Sequence, residues 1–371
     1  MNNKVREISR IGSYKDEDVT FLLKDISDCV EEYTIEERYL GEHAGRHYSE
    51  TIPKEEIPSD EYMKIFYDMM ELNSEKVATL VGVLSKRILN EIGSNIVLVS
   101  LLRAGTPIGV LVKRYIGAYE KIEVRHYSIS IIRGKGVDEN ALKYIIENNP
   151  GKDLVFIDGW TGKGMITKEL EKYIKEFNRK YNTNIKNTLG VIADPAYSVK
   201  LYATREDILI PNACLNSIIS GLLSRSVHNN KIIGKGDFHG VKYYKEYEEC
   251  DLTNYYVDEV SNKFDRYKIE DEFKRINSID TKEHMPDWRG WGLVSRYLSY
   301  NGLKDLNLVK PSVGEATRVL LRRVPKKIIV RDKDDINVRH ILRLAKEKNV
   351  PVEVNKDMTY SCCGIIDNVL D

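Results

Sequence analysis

A carboxylate, a hydroxyl and an amine fall close together in Asp158-Gly159-Trp160-Thr161-Gly162-Lys163-Gly164. The residues before them, Leu154 to Ile157, form an apolar run of strand length. After them Ile166, Leu170, Tyr173, Ile174 and Phe177 recur at the spacing of one helix face. Strand, acid, glycine-rich turn and helix in that order place a carboxylate and several backbone N–H groups at the C-terminal edge of a sheet. Loop amides and a helix N-terminus suit a phosphate, and the acid suits sugar hydroxyls or a phosphate-bound Mg²⁺. A Walker-type loop requires Gly-x-x-x-x-Gly-Lys-Ser/Thr. Gly159-x-x-Gly162-Lys163-Gly164 has the wrong spacing and no hydroxyl after the lysine, which excludes it. The plain alternative is a turn that binds nothing; Asp158, Thr161 and Lys163 beside a helix start favour a phosphate site.

Two further loops carry charge or backbone donors. Ile96 to Val99 reads as a buried strand and runs into Ser100-Leu101-Leu102-Arg103-Ala104-Gly105-Thr106-Pro107. Such a loop is ordinary turn chemistry, or a backbone cradle for pyrophosphate with Arg103 supplying charge. Val124 to Ile132 alternates as a strand and enters Arg133-Gly134-Lys135-Gly136, a basic loop. The five cysteines, Cys29, Cys214, Cys250, Cys362 and Cys363, form no C-x-x-C pair, so neither a disulfide framework nor a zinc site is indicated. Cys214 precedes the apolar, helix-like Leu215 to Leu223 and reads as core filler. With His228 or His239 it would also make a thiol nucleophile and base. His43, His47 and Glu50 lie close together, but no further ligand falls nearby, and they read as polar surface or a lid.

At Asp158 and Gly164 the chain resembles the type I phosphoribosyltransferases, closest to the uracil-type variant with one acid and a glycine six residues later. Many members of that family carry two adjacent acids; here the second place is Gly159. Leu102 to Gly109 resembles the pyrophosphate loop of the same family, and Arg133 and Lys135 match its mobile loop by order alone. The resemblance implies a mainly parallel α/β sheet. It also implies Mg²⁺-dependent transfer of 5-phosphoribose from phosphoribosyl pyrophosphate (PRPP) to a base-like small molecule. Asp158 and Arg103 would then be catalytic. Ala104, Gly105, Gly159, Thr161, Gly162, Lys163 and Gly164 would bind PRPP, and Mg²⁺ would arrive with it. Sequences similar to this one are also labelled stress-linked cysteine proteases, which points instead to Cys214 with His228 or His239. A non-catalytic nucleotide sensor is a third reading.

Ser312-Val313-Gly314-Glu315-Ala316-Thr317-Arg318 resembles the Gly-x-Asn-Glu-x-Thr-Lys signature of the Pelota-type RNA-binding fold. Glu315 and Thr317 match, Arg318 keeps the charge, and Ser312 and Gly314 replace the first Gly and the Asn. The resemblance implies a small α/β/α module in which Gly314, Glu315, Thr317, Arg318, Arg322 and Arg323 meet RNA through residues 289–371. Together the two parts resemble a phosphoribosyltransferase fused to a Pelota-like domain, a family of tellurite-resistance and stress gene clusters.

The elements that must position these groups follow from pattern. Val77, Leu80, Val81, Leu84, Ile88 and Ile92 make one stripe of a helix over 61–92, with Ser74 as its cap. Ala141 to Ile146 reads as a short helix, and Leu189 to Ala193 as another buried strand ending at Asp194. The Tyr-rich, charged stretch 243–287 shows little apolar period, which places a domain boundary near 280: residues 1–280 and 281–371. The second part reads helix, helix, strand, helix, strand. With 371 residues, one large domain plus a smaller one is expected. Lys+Arg and Asp+Glu both number 57, so global charge names no polyanion partner. Residues 301–371 nevertheless carry a net +4, from 14 Lys/Arg and 10 Asp/Glu. No apolar run reaches membrane-spanning length, and the polar N-terminus lacks a signal peptide's apolar core. The expectation is a cytoplasmic protein without a membrane partner; a homo-oligomer is compatible with it.

Overall fold

The computed structural model describes residues 8 and 10–366. Short segments of two to eight residues, most of them apolar, become the six strands of one parallel sheet: β1 (Thr20–Phe21), β2 (Ile96–Leu101), β3 (Arg125–Ile129), β4 (Asp153–Trp160), β5 (Leu189–Ala193) and β6 (Leu201–Thr204). Their order is β1-β3-β2-β4-β5-β6, with every neighbouring pair parallel. Val99 lies opposite Phe156, and Val191 opposite Asp158. Strands covered on both faces read as near-continuous apolar runs, and β2 and β5 are buried at every residue, Ser100 included.

Helices cover both faces. After α1 (Ile35–His43) come α2 (Asp60–Glu91) and α3 (Gly105–Tyr115), whose buried residues share one apolar cluster with the sheet. A second cluster, on α4 (Glu139–Asn148) and α5 (Met165–Tyr181), includes Val97, Val99 and Phe156 from alternate positions of the strands. The sheet's C-terminal edge therefore has a switch point between β2 and β4. From β2 the chain goes through α3 to β3 on one side, then through α4 to β4 on the other. A crevice opens at such a reversal, where ligands of open α/β sheets bind.

Local readings change in three places. The N-cap of α2 is Ser59, whose hydroxyl accepts from Tyr62 N–H at 3.4 Å. Ser74 instead lies buried inside the helix and donates back to Met70 O. Leu215 to Leu223 is not a helix: single 3₁₀ turns, Pro211–Ala213 and Ser217–Ile219, flank Cys214 to Asn216. Its apolar residues are buried in the cluster with α2 and α3, so no amphipathic period was needed. The 243–287 stretch does contain helices, α6 (Thr253–Ser261) and α7 (Arg266–Asn277). Ile269 of α7 fills the notch left by Gly82 of α2.

Beyond residue 288, α8 (Arg289–Tyr300), α9 (Val313–Arg322) and α10 (Arg339–Glu347) accompany a four-stranded sheet. Its strands β7 (Val309–Pro311), β8 (Lys327–Val330), β9 (Val352–Val354) and β10 (Cys362–Ile365) are ordered β7-β10-β8-β9. This module docks on the first. Val313, Ala316 and Leu320 of α9 join the apolar cluster of α2 and α3. Among the described residues no helix is long and apolar enough to cross a membrane.

Candidate functional site

The β2 and β4 ends meet at the switch point. Gly105 starts α3 against β4, where a Cβ would stand 2.3 Å from Ile157 O, so the close approach requires glycine. Asp158 follows at the end of the apolar run, though β4 continues through Gly159 and Trp160. The glycine-rich turn is thus shorter than the sequence implied, and Gly164, at φ +73°, caps α5. The Asp158 carboxylate accepts Gly159 N–H at 2.8 Å. No side chain among the described residues pairs with it, and burial pushes it up to about 7 against that one hydrogen bond.

Above Asp158 lies a cleft of ≈ 420 Å³ between the two modules. Its cations are Arg133, Lys163, Lys310, Arg318, Arg322 and Arg323; its acids are Asp158 and Glu315. Ala104, Thr161, Gly162 and Gly164 also line it. Sequence reasoning missed Trp160, Asn307 and Lys310, which complete the wall. A tryptophan inside a glycine-rich turn was the one available signal; Asn307 and Lys310 carry none.

Several predicted groups are committed elsewhere. Thr161 Oγ1 donates to Asp194. Lys163 Nζ donates to Leu306 O at 2.8 Å, and Gly162 O accepts from Tyr360 O–H at 2.7 Å. Both bonds tie the turn to the second module instead of leaving it free for a ligand. Arg103 is paired with Glu55 at 2.6 Å and also donates to Leu223 O and Asn216 Oδ1. Its guanidinium does not line the cleft. Lys135 Nζ donates to His228 O at 2.9 Å, so of the two basic-loop residues Arg133 alone reaches the cleft, where it donates to Asn307 Oδ1 at 3.2 Å.

The helix of the RNA-type signature faces inward. Ser312 caps α9 through Glu315 N–H. Gly314 packs on Trp160, and a Cβ on Gly162 would lie 2.3 Å from Glu315 Oε1. Thr317 Oγ1 donates to Val313 O at 2.7 Å and lies 2.8 Å from His340 Nε2, fully buried. Arg318 and Arg322 both donate to Asn216 Oδ1, at 3.1 and 2.6 Å. Beneath them Asp207, 3% exposed, accepts Val313 N–H at 3.0 Å and Ser361 N–H at 2.9 Å. Burial pushes its carboxyl up to about 7 despite those bonds.

The thiols differ in access. Cys214, Cys362 and Cys363 are buried, Cys250 is half-buried and Cys29 is exposed. Burial pushes Cys214 up to about 12, with Arg318 opposing. The imidazoles of His228 and His239 stand 4.8 Å apart, ring centre to ring centre. His239 Nδ1 lies 2.7 Å from Ser130 Oγ, and burial, helped by His228 and Lys135, lowers its pKa to about 3. Among the described residues no hydrogen bond joins Cys214 to either ring. No group of three or more His, Cys, Asp and Glu among them could hold a metal ion.

Residues 12–261 match the family described as tellurite-like stress resistance cysteine protease StiP. Residues 288–368 match the PELOTA RNA binding domain. The chain is similar to "Cysteine protease StiP" of Acinetobacter baylyi, 32% identical over 354 residues, covering 93% of this chain and 91% of the relative. These likenesses correct the expected activity. A phosphoribosyltransferase acting on PRPP, and with it glycosyl transfer to a base, is overturned by a protease family that spans the very loops on which that expectation stood. Of the expected fold, the mainly parallel α/β sheet stands. By the extent of the family match and of the similarity to that relative, the chain belongs to the StiP family of tellurite-like stress resistance cysteine proteases.

Proposed function

We propose that the protein hydrolyses peptide bonds with a cysteine thiol and binds RNA through its C-terminal module. The observation that carries the first half is likeness to a named cysteine protease over 93% of the chain. The RNA half rests on the match over residues 288–368. In thiol hydrolysis the sulfur attacks the scissile carbonyl, the amine leaves with a proton, and water cleaves the acyl-enzyme. The nucleophile must therefore meet a peptide and ionise. Access favours Cys29, the exposed thiol, over Cys214, which burial holds protonated. On the RNA side Arg322 and Arg323 serve as phosphate ligands, Arg318 and Glu315 line the cleft behind them, and Gly314 and Thr317 hold the helix in place.

The test is hydrolysis of a fluorogenic casein by the full chain, compared with Cys29→Ser and Cys214→Ser. Loss of activity in Cys29→Ser, with substantial activity left in Cys214→Ser, is the expected result. Activity lost only in Cys214→Ser would move the thiol there. Activity kept in both, or absent from the unaltered chain, would remove the protease reading.

A further inference from the structure

The signature edge of the C-terminal module is covered. Gly314 lies on Trp160, Glu315 faces the Gly162 backbone, and Thr317 is spent on Val313 O and His340. A base-paired stem is a broad, rigid cylinder, and the β4–α5 turn occupies the space where it would approach that edge. What remains open is the cleft beside it. Arg133 and Arg322 are exposed at its rim, and Arg323 and Lys310 are half-buried. The two acids, Asp158 and Glu315, belong to the same cavity, and Trp160, whose indole lies against Gly314, lines it too.

We infer that this cleft binds a single-stranded RNA segment, with one nucleotide entering the cavity between Asp158 and Trp160 and the flanking phosphates on Arg133, Arg322 and Arg323. The inference rests on the RNA-binding reading above and goes beyond it by assigning the strand form and the first module's share of the site. Three observations carry it. The volume, ≈ 420 Å³, suits one small ligand, since such sites run from about 300 to 1,000 Å³; it is far too small for a duplex. Six cations against two acids favour a polyanion, and aromatic stacking is how unpaired bases are held. The Asp158 carboxylate, which accepts only the Gly159 N–H and pairs with no side chain among the described residues, would repel a phosphate but can accept hydrogen bonds from a ribose 2′-hydroxyl or a base amino group, the former being the group that separates RNA from DNA. Sugar and base therefore go inward and phosphates stay at the rim.

The experiment is fluorescence anisotropy on the full chain at several salt concentrations. The probes are a labelled mixed-sequence 10-nucleotide RNA, its hairpin duplex, and DNA of the same sequence. The single-stranded RNA is expected to bind roughly tenfold tighter than the duplex. Arg133→Ala, a change outside the C-terminal module, should weaken it severalfold. It should also lower the slope of log affinity against log salt by about one, because one phosphate fewer is neutralised and its counterion stays in place. Asp158→Asn should narrow the preference for RNA over DNA. Duplex bound as tightly as the single strand, or affinity unmoved by Arg133→Ala, would overturn the cleft assignment while leaving RNA binding in place. Failure of every RNA to bind at low salt would overturn both.

Discussion

Asp158 is a carboxylate that the fold leaves unsupported, and its stability signature follows. Its folded pKa is raised by burial to about 7 from an ordinary 3.8. Below the ordinary value it is protonated in folded and unfolded chains alike. As pH rises from there to about 7 the unfolded chain releases the proton first, so the group turns progressively against folding, and it stays adverse above that window. Asp158→Asn should therefore raise Tm, and raise it more at pH 8 than at pH 5. Equal shifts in calorimetric scans at the two pH values would show that the carboxylate is not desolvated. The cysteines make a second residue-scale prediction. Near neutral pH iodoacetamide should label Cys29 well before Cys214, read by peptide mapping of the native protein. Prompt labelling of native Cys214 would mean that the region around α9 opens on the experimental timescale.

At the scale of elements, α2 shows what pattern can and cannot give. Its apolar stripe located a helix of 32 residues that starts at Asp60. The stripe says nothing about which serine caps it, because Ser59 and Ser74 both precede apolar periodicity. Ser59→Ala should cost about 1 kcal/mol in denaturant unfolding; no loss would mean that Tyr62 N–H is satisfied without it. In the parallel sheet β3 was legible through its alternation, and β1 and β6, of two and four residues, were not assigned; β2, β4 and β5 were legible because burial on both faces favours unbroken apolar runs. Leu215 to Leu223 deceived for the same reason, since a segment buried on all sides needs no helical spacing. The site was half legible. Asp158, Gly105 and the turn through Gly164 lie where local sequence places them, at strand ends. Arg103 and Lys163 could not be read, because their partners, Glu55 and Leu306, are remote in sequence. Gly105→Ala tests the close approach of α3 to β4. The added methyl would meet Ile157 O, and about 1–3 kcal/mol of destabilisation is expected. A neutral result would show that the β4 end yields.

For the molecule as a whole, Asp207 is the joint between modules. One carboxylate holds the first turn of α9 and the approach to β10, two segments 48 residues apart. Asp207→Ala leaves two buried N–H groups without acceptors, each worth about 1–3 kcal/mol. It should expose the 280–288 connection to limited proteolysis, and cleavage at the unaltered rate would show that apolar packing alone keeps the modules together. The strand order has a consequence in time. β10, the last described strand, lies between β7 and β8, and β7 is hydrogen-bonded to the sheet through it alone. A growing chain finishes the first module's sheet at Thr204 and its last helix at Asn277, long before Cys362 emerges. Domains fold N-terminal first during synthesis, at roughly 5–20 residues per second. The nascent protein thus spends several seconds with Asp158 and the 162–164 turn facing water, and the cleft is the last part of the molecule to take shape.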